Sequence, residues 1–204
     1  RLRLSSIDSI EADDHLWDLI AGEPRFMPHL HLSLQHGDDL ILKRMKRRHS
    51  SADARAFCER VRDLRPDASF GADMIAGFPT ETEDMFANAA LHAEDCGIAH
   101  LHVFPYSPRP GTPAARMPQL DRALVKERAA RLRETGKRLH EAHLGRMVGR
   151  RETILVENNG LAHTENFTLV DAAGLKPRDL VPVTITGHNG KHLTMRPETA
   201  LTRN

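Results

Sequence analysis

At 204 residues the chain has room for one large domain or two smaller ones, each with its own core. A formal net charge of +1 says little about partners, while two cysteines, Cys58 and Cys96, exclude a disulfide framework or a local metal knuckle. Both cysteines fall in helical patterns and read as core thiols, which fits a reducing cytoplasm; no stretch approaches the ~20 apolar residues of a membrane span and no signal peptide is visible.

The chain opens on Arg1-Leu2-Arg3-Leu4-Ser5-Ser6, without Met, and reads as a β-strand already under way. We therefore expect the back half of a larger enzyme followed by an appended small barrel. Through residue 120, short apolar strands alternate with helix-period segments, the pattern of βα units on a parallel sheet. Strands are predicted at 1–6, 29–34, 69–76 and 99–104, and helices at 13–21, 38–45, 52–64 and 81–95. Asp38, after Gly37, is an expected N-cap; Thr80 or Thr82 caps the next helix and Gly97 ends it. A Pro-rich stretch, 105–118, precedes a long helix over 121–144 with Leu124, Val125, Leu132 and Leu139 on its buried stripe. Gly145 to Gly149 is expected to break it. Five short β-like runs follow, at 153–157, 161–164, 168–171, 180–186 and 192–196, separated by turn signals such as Asn158-Asn159-Gly160. Five strands in about 55 residues fit a small closed OB-like barrel.

Charge is unevenly spread. Residues 73–95 hold six acids and no Lys or Arg, 121–151 hold ten Lys/Arg against four acids, and 43–48 carry five bases in six positions. Such asymmetry suits a surface that meets polyanions, and equally the solvated faces of amphipathic helices.

Strands buried on both faces read as continuous apolar runs, but these alternate. His29, His31 and Ser33 oppose Leu30, Leu32 and Leu34, and His100 and His102 oppose Leu101 and Val103. If the Leu/Val faces pack on outer helices, the other faces line a polar lumen able to hold a ligand or water. Each His-x-His pair has the spacing of metal ligands on a strand, yet no third ligand is evident. A hydrogen-bonded histidine lining is the competing reading. Gly77-Phe78-Pro79-Thr80-Glu81-Thr82 follows a strand and opens a helix, where α/β proteins bind ligands or simply turn. The basic run from Lys43 to Arg48 can grip a carboxylate or phosphate, or only favour a helix C-terminus. Phe104-Pro105-Tyr106-Ser107-Pro108-Arg109-Pro110-Gly111-Thr112-Pro113 is a rigid loop at a strand end, a place for binding residues or a stiff connector.

Taken together, Pro28-His29-Leu30-His31-Leu32-Ser33-Leu34-Gln35, Leu42-Lys43-Arg44-Met45-Lys46-Arg47-Arg48, Asp73-Met74-Ile75-Ala76-Gly77-Phe78-Pro79-Thr80-Glu81-Thr82 and the Phe104 loop closely resemble the radical S-adenosylmethionine methylthiotransferases. The Gly77 and His29 segments are most similar to the branch called MtaB, which acts on threonylcarbamoyladenosine beside the tRNA anticodon. The resemblance implies an α/β fold. Residues 1–148 would be the C-terminal half of a partial (β/α) radical-SAM barrel, and 149–204 a small all-β OB-like TRAM domain that binds RNA.

It implies S-adenosylmethionine as cofactor and two 4Fe–4S clusters in the full-length enzyme, an electron donor for their reduction, and a tRNA anticodon stem-loop as partner. By position, Gln35 and Arg47 would hold the cofactor's amino-acid end and Ile75, Gly77, Phe78 and Pro79 would border its adenine, with Tyr106 completing the set at the substrate mouth. RNA contact would fall to phosphate-binding Arg146, Arg150, Arg151, Lys176, Arg178, Lys191 and Arg196, because Phe167 is the one aromatic after residue 151. The family's Cys-x3-Cys-x2-Cys motif is absent, so no catalytic residue and no metal ligand is assigned, and the chain alone is expected to be inactive. The alternatives are a ribosomal-protein methylthiotransferase, a cluster-free RNA-binding module, and a metal-dependent hydrolase built on the His-x-His pairs.

Overall fold

Alternating apolar residues build a four-stranded parallel sheet in the computed structural model, which describes residues 1–198. Its strands, in the order β1-β2-β3-β4, are Leu2–Ile7, Phe26–Gln35, Ser69–Ala76 and Ile98–Pro105. Leu30, Leu32 and Leu34 of β2, with Phe70, Ala72 and Met74 of β3, are buried in one core. That core also takes Ile20 of helix α1 (Asp14–Gly22), Phe57 and Val61 of α3 (Ser51–Leu64), and Phe86 and Ala89 of α4 (Glu83–Asp95). Between β2 and α3 lies the short α2, Asp39–Arg44.

Local chemistry sets the boundaries. Asp38 caps α2 by accepting from the Leu40 and Ile41 amides, and Ser50 with Asp53 forms a reciprocal capping box on α3. Thr82, rather than Thr80, caps α4. Thr80 instead adopts φ 70° and accepts from the Arg44 guanidinium at 2.7 Å.

The last helix, α5, spans Arg122–Met147 and continues through Gly145, where the sequence signalled a break. Val125 and Leu132 are buried as expected, and so are Arg128 and Ala129, which the apolar stripe did not reveal. Gly136 lets the helix close on β4, since a Cβ there would sit 3.0 Å from that of Leu101.

The chain divides into two compact units at Leu139/His140, inside α5. In the second unit β5 (Arg151–Val156), β6 (Leu161–His163), β7 (Leu169–Asp171), β8 (Leu180–His188) and β9 (Leu193–Pro197) close a barrel in the order β5-β6-β7-β9-β8. Ile154, Ala162, Val170, Val183, Ile185 and Leu193 fill it, with Leu144 and Met147 packed into the same core. The architecture is thus an α/β unit on a four-stranded parallel sheet, a partial (β/α) barrel, followed by a small closed five-stranded β-barrel, as expected. Among the described residues no helix is long and apolar enough to cross a membrane.

Candidate active-site cleft and nucleic-acid surface

The sheet face away from the core is polar, as the alternation predicted: His31, Ser33 and Gln35 alternate with buried Leu32 and Leu34 along β2. At the carboxyl ends of β2, β3 and β4 this face opens into a cleft of about 510 Å³ lined by Gln35, Asp73, Ile75, Phe104, Tyr106 and Arg109. A second lobe of about 300 Å³ shares Gln35 and Ile75 and adds Arg44, Arg47 and Phe78. Five of the seven expected cofactor residues therefore meet in one place: Gln35, Arg47, Ile75, Phe78 and Tyr106. Gly77 and Pro79 lie in the buried turn behind it. The space that Gly77 leaves is taken by Val125, whose methyl carbons would stand 2.8 Å from a Cβ at this φ +77° position.

The cleft carries unmet hydrogen-bonding capacity. Phe78 and Tyr106 pack edge to face with centroids 5.3 Å apart, and the buried Tyr106 hydroxyl has no partner. Burial also pushes its pKa up. Arg47 donates from one Nη to the Ser33 carbonyl at 3.0 Å and lies 3.6 Å from Asp8, while its Nε is buried without a partner. Gln35 holds φ 62°, which turns the chain at the strand end. Apolar Ile75 and Phe78 beside donor groups on Arg47, Gln35 and Tyr106 suit a ligand with a flat heterocycle at one end and a carboxylate at the other.

Behind the cleft sits a buried polar cluster that sequence reasoning missed. Glu81, fully inaccessible, accepts from the Gly77 amide at 2.6 Å, from Arg128 at 3.1 Å and from His36 at 3.0 Å. Arg128 also reaches the Glu81 carbonyl at 2.8 Å. The only signal available was an arginine on the apolar stripe of α5, four residues before Leu132.

The His-x-His pairs divide rather than act as pairs. His29 bonds Ser69 at 2.8 Å and meets His100 edge-on, whereas His31 and His102 flank Asp73 at 3.0 and 3.4 Å. The third group that strand spacing did not supply comes from the neighbouring strand.

In the second unit all seven expected RNA-contacting bases are exposed. Arg151 and Arg196 both register against Thr184, from either side of β8, so they stand in one cross-strand row. Arg151 is ion-paired to Glu198 at 3.0 Å and Arg150 lies 3.7 Å from Glu152. Lys176 and Arg178 lie on the β7–β8 connection and Lys191 on the β8–β9 turn. Phe167, at φ 68°, stacks on His163 with centroids 4.4 Å apart and rings 9° from parallel.

Residues 3–93 match the family model of the Radical SAM superfamily. Coproporphyrinogen III oxidase from Escherichia coli, a radical SAM enzyme, superposes with a TM-score of 0.53 at 15% identity, covering 98% of this chain and 51% of that one. Threonylcarbamoyladenosine tRNA methylthiotransferase MtaB of Rickettsia prowazekii is 54% identical over 167 residues, 82% of this chain and 40% of that protein. The chain is related to the tRNA methylthiotransferases of the radical SAM superfamily. A tRNA-2-methylthio-N(6)-dimethylallyladenosine synthase of Thermobifida fusca is 35% identical over 212 residues, 95% of this chain and 42% of that protein. The chain thus spans less than half the length of these relatives.

The two implied cofactors fare differently against these residues. The cleft offers a heterocycle face and unpartnered donors, and so fits S-adenosylmethionine. A cluster ligated by three cysteines does not fit this chain, which has only Cys58 and Cys96. Both are fully buried, one on α3 and one at the end of α4, and the Cys58 thiol is pushed up by its contact with Cys96 and by burial.

Proposed function

We propose that this chain belongs to a tRNA methylthiotransferase that adds a methylthio group to C2 of N6-threonylcarbamoyladenosine next to the anticodon, in the cytoplasm. The 54% identity to the threonylcarbamoyladenosine enzyme of Rickettsia prowazekii, against 35–40% to the dimethylallyladenosine synthases, supports this reading. In it, S-adenosylmethionine occupies the cleft at the strand ends and supplies a radical and a methyl group when bound. Arg47 and Gln35 hold its amino-acid end, Ile75 and Phe78 face its adenine, and the Gly77–Pro79 turn keeps Phe78 in place. Tyr106 stands at the mouth with its hydroxyl free to donate. The β-barrel grips tRNA through phosphate contacts by its exposed bases.

Nucleoside mass spectrometry of tRNA from the source organism, with and without the reading frame that contains this chain, tests the proposal. Loss of 2-methylthio-threonylcarbamoyladenosine, with the dimethylallyladenosine derivative retained, is expected; the opposite pattern would overturn it. Because this chain carries no Cys-x3-Cys-x2-Cys motif, the chain alone should yield no 5′-deoxyadenosine after iron–sulfur reconstitution and reduction. Detecting that product would overturn the reading that these residues cannot hold the cluster.

A further inference from the structure

Three consecutive strands each place one metal-ligating side chain on the lumen face: His31 on β2, Asp73 on β3 and His102 on β4. The register explains the convergence. Asp73 pairs directly with His102, and His31 pairs with Gly71, two residues before Asp73 and therefore on the same face. A side chain at position 71 would not fit. Its Cβ would lie 2.6 Å from His31 Nδ1, so glycine there is what lets the imidazole lie across β3 toward Asp73.

The donor atoms of the three side chains all lie within 4.8 Å of one another. His31 Nε2 is 3.0 Å and His102 Nδ1 3.4 Å from the same carboxylate oxygen. Nitrogen and oxygen ligands held at about 2.0–2.1 Å in a tetrahedron stand roughly 3.4 Å apart. Both imidazole-to-carboxylate spacings are already close to that of a shared ion, and the two imidazoles, within 4.8 Å of each other, need only draw together to complete the site. Two imidazoles and one carboxylate present a net negative, nitrogen-rich donor set without thiolate, which suits zinc and neighbouring divalent ions over soft copper(I) or purely oxygen-liking magnesium.

Access is also built in. The His31, Asp73 and His102 side chains are 18%, 36% and 59% exposed, a gradient running outward from the lumen. Asp73 lines the cleft together with Gln35 and Tyr106. Three protein ligands on an exposed face leave coordination positions open, the arrangement of reactive rather than purely structural sites.

We propose that His31, Asp73 and His102 bind a divalent transition-metal ion, zinc foremost, with open positions facing the cleft. The site stands on the lumen's own geometry, so its failure and the failure of the methylthiotransferase reading are separate outcomes. The competing account is a hydrogen-bonded lining in which the carboxylate simply bridges two histidines.

The chain, freed of metal by chelation, is titrated with zinc against a chromophoric competitor, and with cobalt(II) under visible absorption. One tight equivalent of zinc is expected, with cobalt d–d bands of a low-symmetry nitrogen/oxygen site. His31→Asn, Asp73→Asn and His102→Asn should each weaken zinc binding by roughly tenfold or more. The surface double variant His15→Asn/His188→Asn should leave it unchanged. His102 is the most exposed of the three, so its variant is the one expected to fold as wild type, which far-UV circular dichroism checks. Undiminished zinc binding by folded His102→Asn, or no zinc equivalent and no d–d bands on the wild-type chain, would overturn the proposal.

Discussion

Replacing Glu81 by Gln is nearly isosteric and should nonetheless be among the more damaging single changes to the first unit. Every group facing this carboxylate is a donor. The Asp38 amide donates to His36 Nδ1 at 3.0 Å, which fixes the proton on Nε2 and makes that nitrogen the donor to Glu81. On the other oxygen, the Gly77 amide and Arg128 both donate. A carboxylate accepts all three, but an amide must turn its NH2 toward one side, where it meets either His36 or Gly77 with Arg128. Each lost hydrogen bond to a charged group is worth about 1.5–3 kcal/mol, and breaking a buried ion pair by removing one charge costs about 3–5 kcal/mol. The two overlap, so we expect about 3–5 kcal/mol in total, a large share of the roughly 5–15 kcal/mol that holds a domain folded. Trp17 is the sole tryptophan, packed 5.2 Å from Phe57 in this unit, so its fluorescence in a urea titration reads the loss directly. Faster hydrogen exchange at the Gly77 amide should accompany it. A Glu81→Gln chain within about 1 kcal/mol of wild type would refute the reasoning, because the carboxylate would then not be the acceptor on which the turn depends.

Gly77→Ala must hold φ +77° and place a methyl 2.8 Å from Val125. The left-handed backbone and the overpacking together should cost about 2–5 kcal/mol in the same fluorescence assay, and a loss below about 1 kcal/mol would show that α5 yields there. In the second unit His143 is held neutral, its pKa lowered from 6.5 to about 4 by burial and by the positive charge of Arg146. A depressed histidine stabilises the fold above the unfolded value and loses that contribution as pH falls through the folded one. Barrel stability should therefore drop by about 3 kcal/mol between pH 6.5 and 4, and His143→Leu should flatten that slope in thermal melts. An unchanged slope would place the titration elsewhere. Binding of an anticodon stem-loop RNA, followed by fluorescence anisotropy, should weaken steeply with salt. Arg151→Gln with Arg196→Gln should reduce the logarithmic slope by about 1.4 if both touch phosphates, and an unaltered slope would remove this row from the interface.

The fold was legible because its signals are local. Leu/His alternation on β2 and β4 gave both the strands and the polar lumen, and Asp38 and Gly97 marked helix ends by their own backbone chemistry. Boundaries slipped where tertiary contacts outvoted local preference. Helix α5 runs through Gly145 because Leu144 and Met147, on either side of it, are buried in the barrel core.

The site was legible only in part, and for a physical reason. Strand periodicity says which residues share a face along one strand, but nothing about the register between strands. It could pair His29 with His31, yet it could not bring Asp73 between His31 and His102, since that depends on Gly71 facing His31 across the β2–β3 ladder. The Glu81 cluster was hidden for the same reason. Its members lie at positions 36, 77, 81 and 128, and only the packing of the β2 end and of α5 against the Gly77 turn makes them neighbours. The burial of Arg128 is thus tied to the turn that positions Phe78. A change in α5 that displaces the arginine should disturb the cleft without touching any residue that lines it.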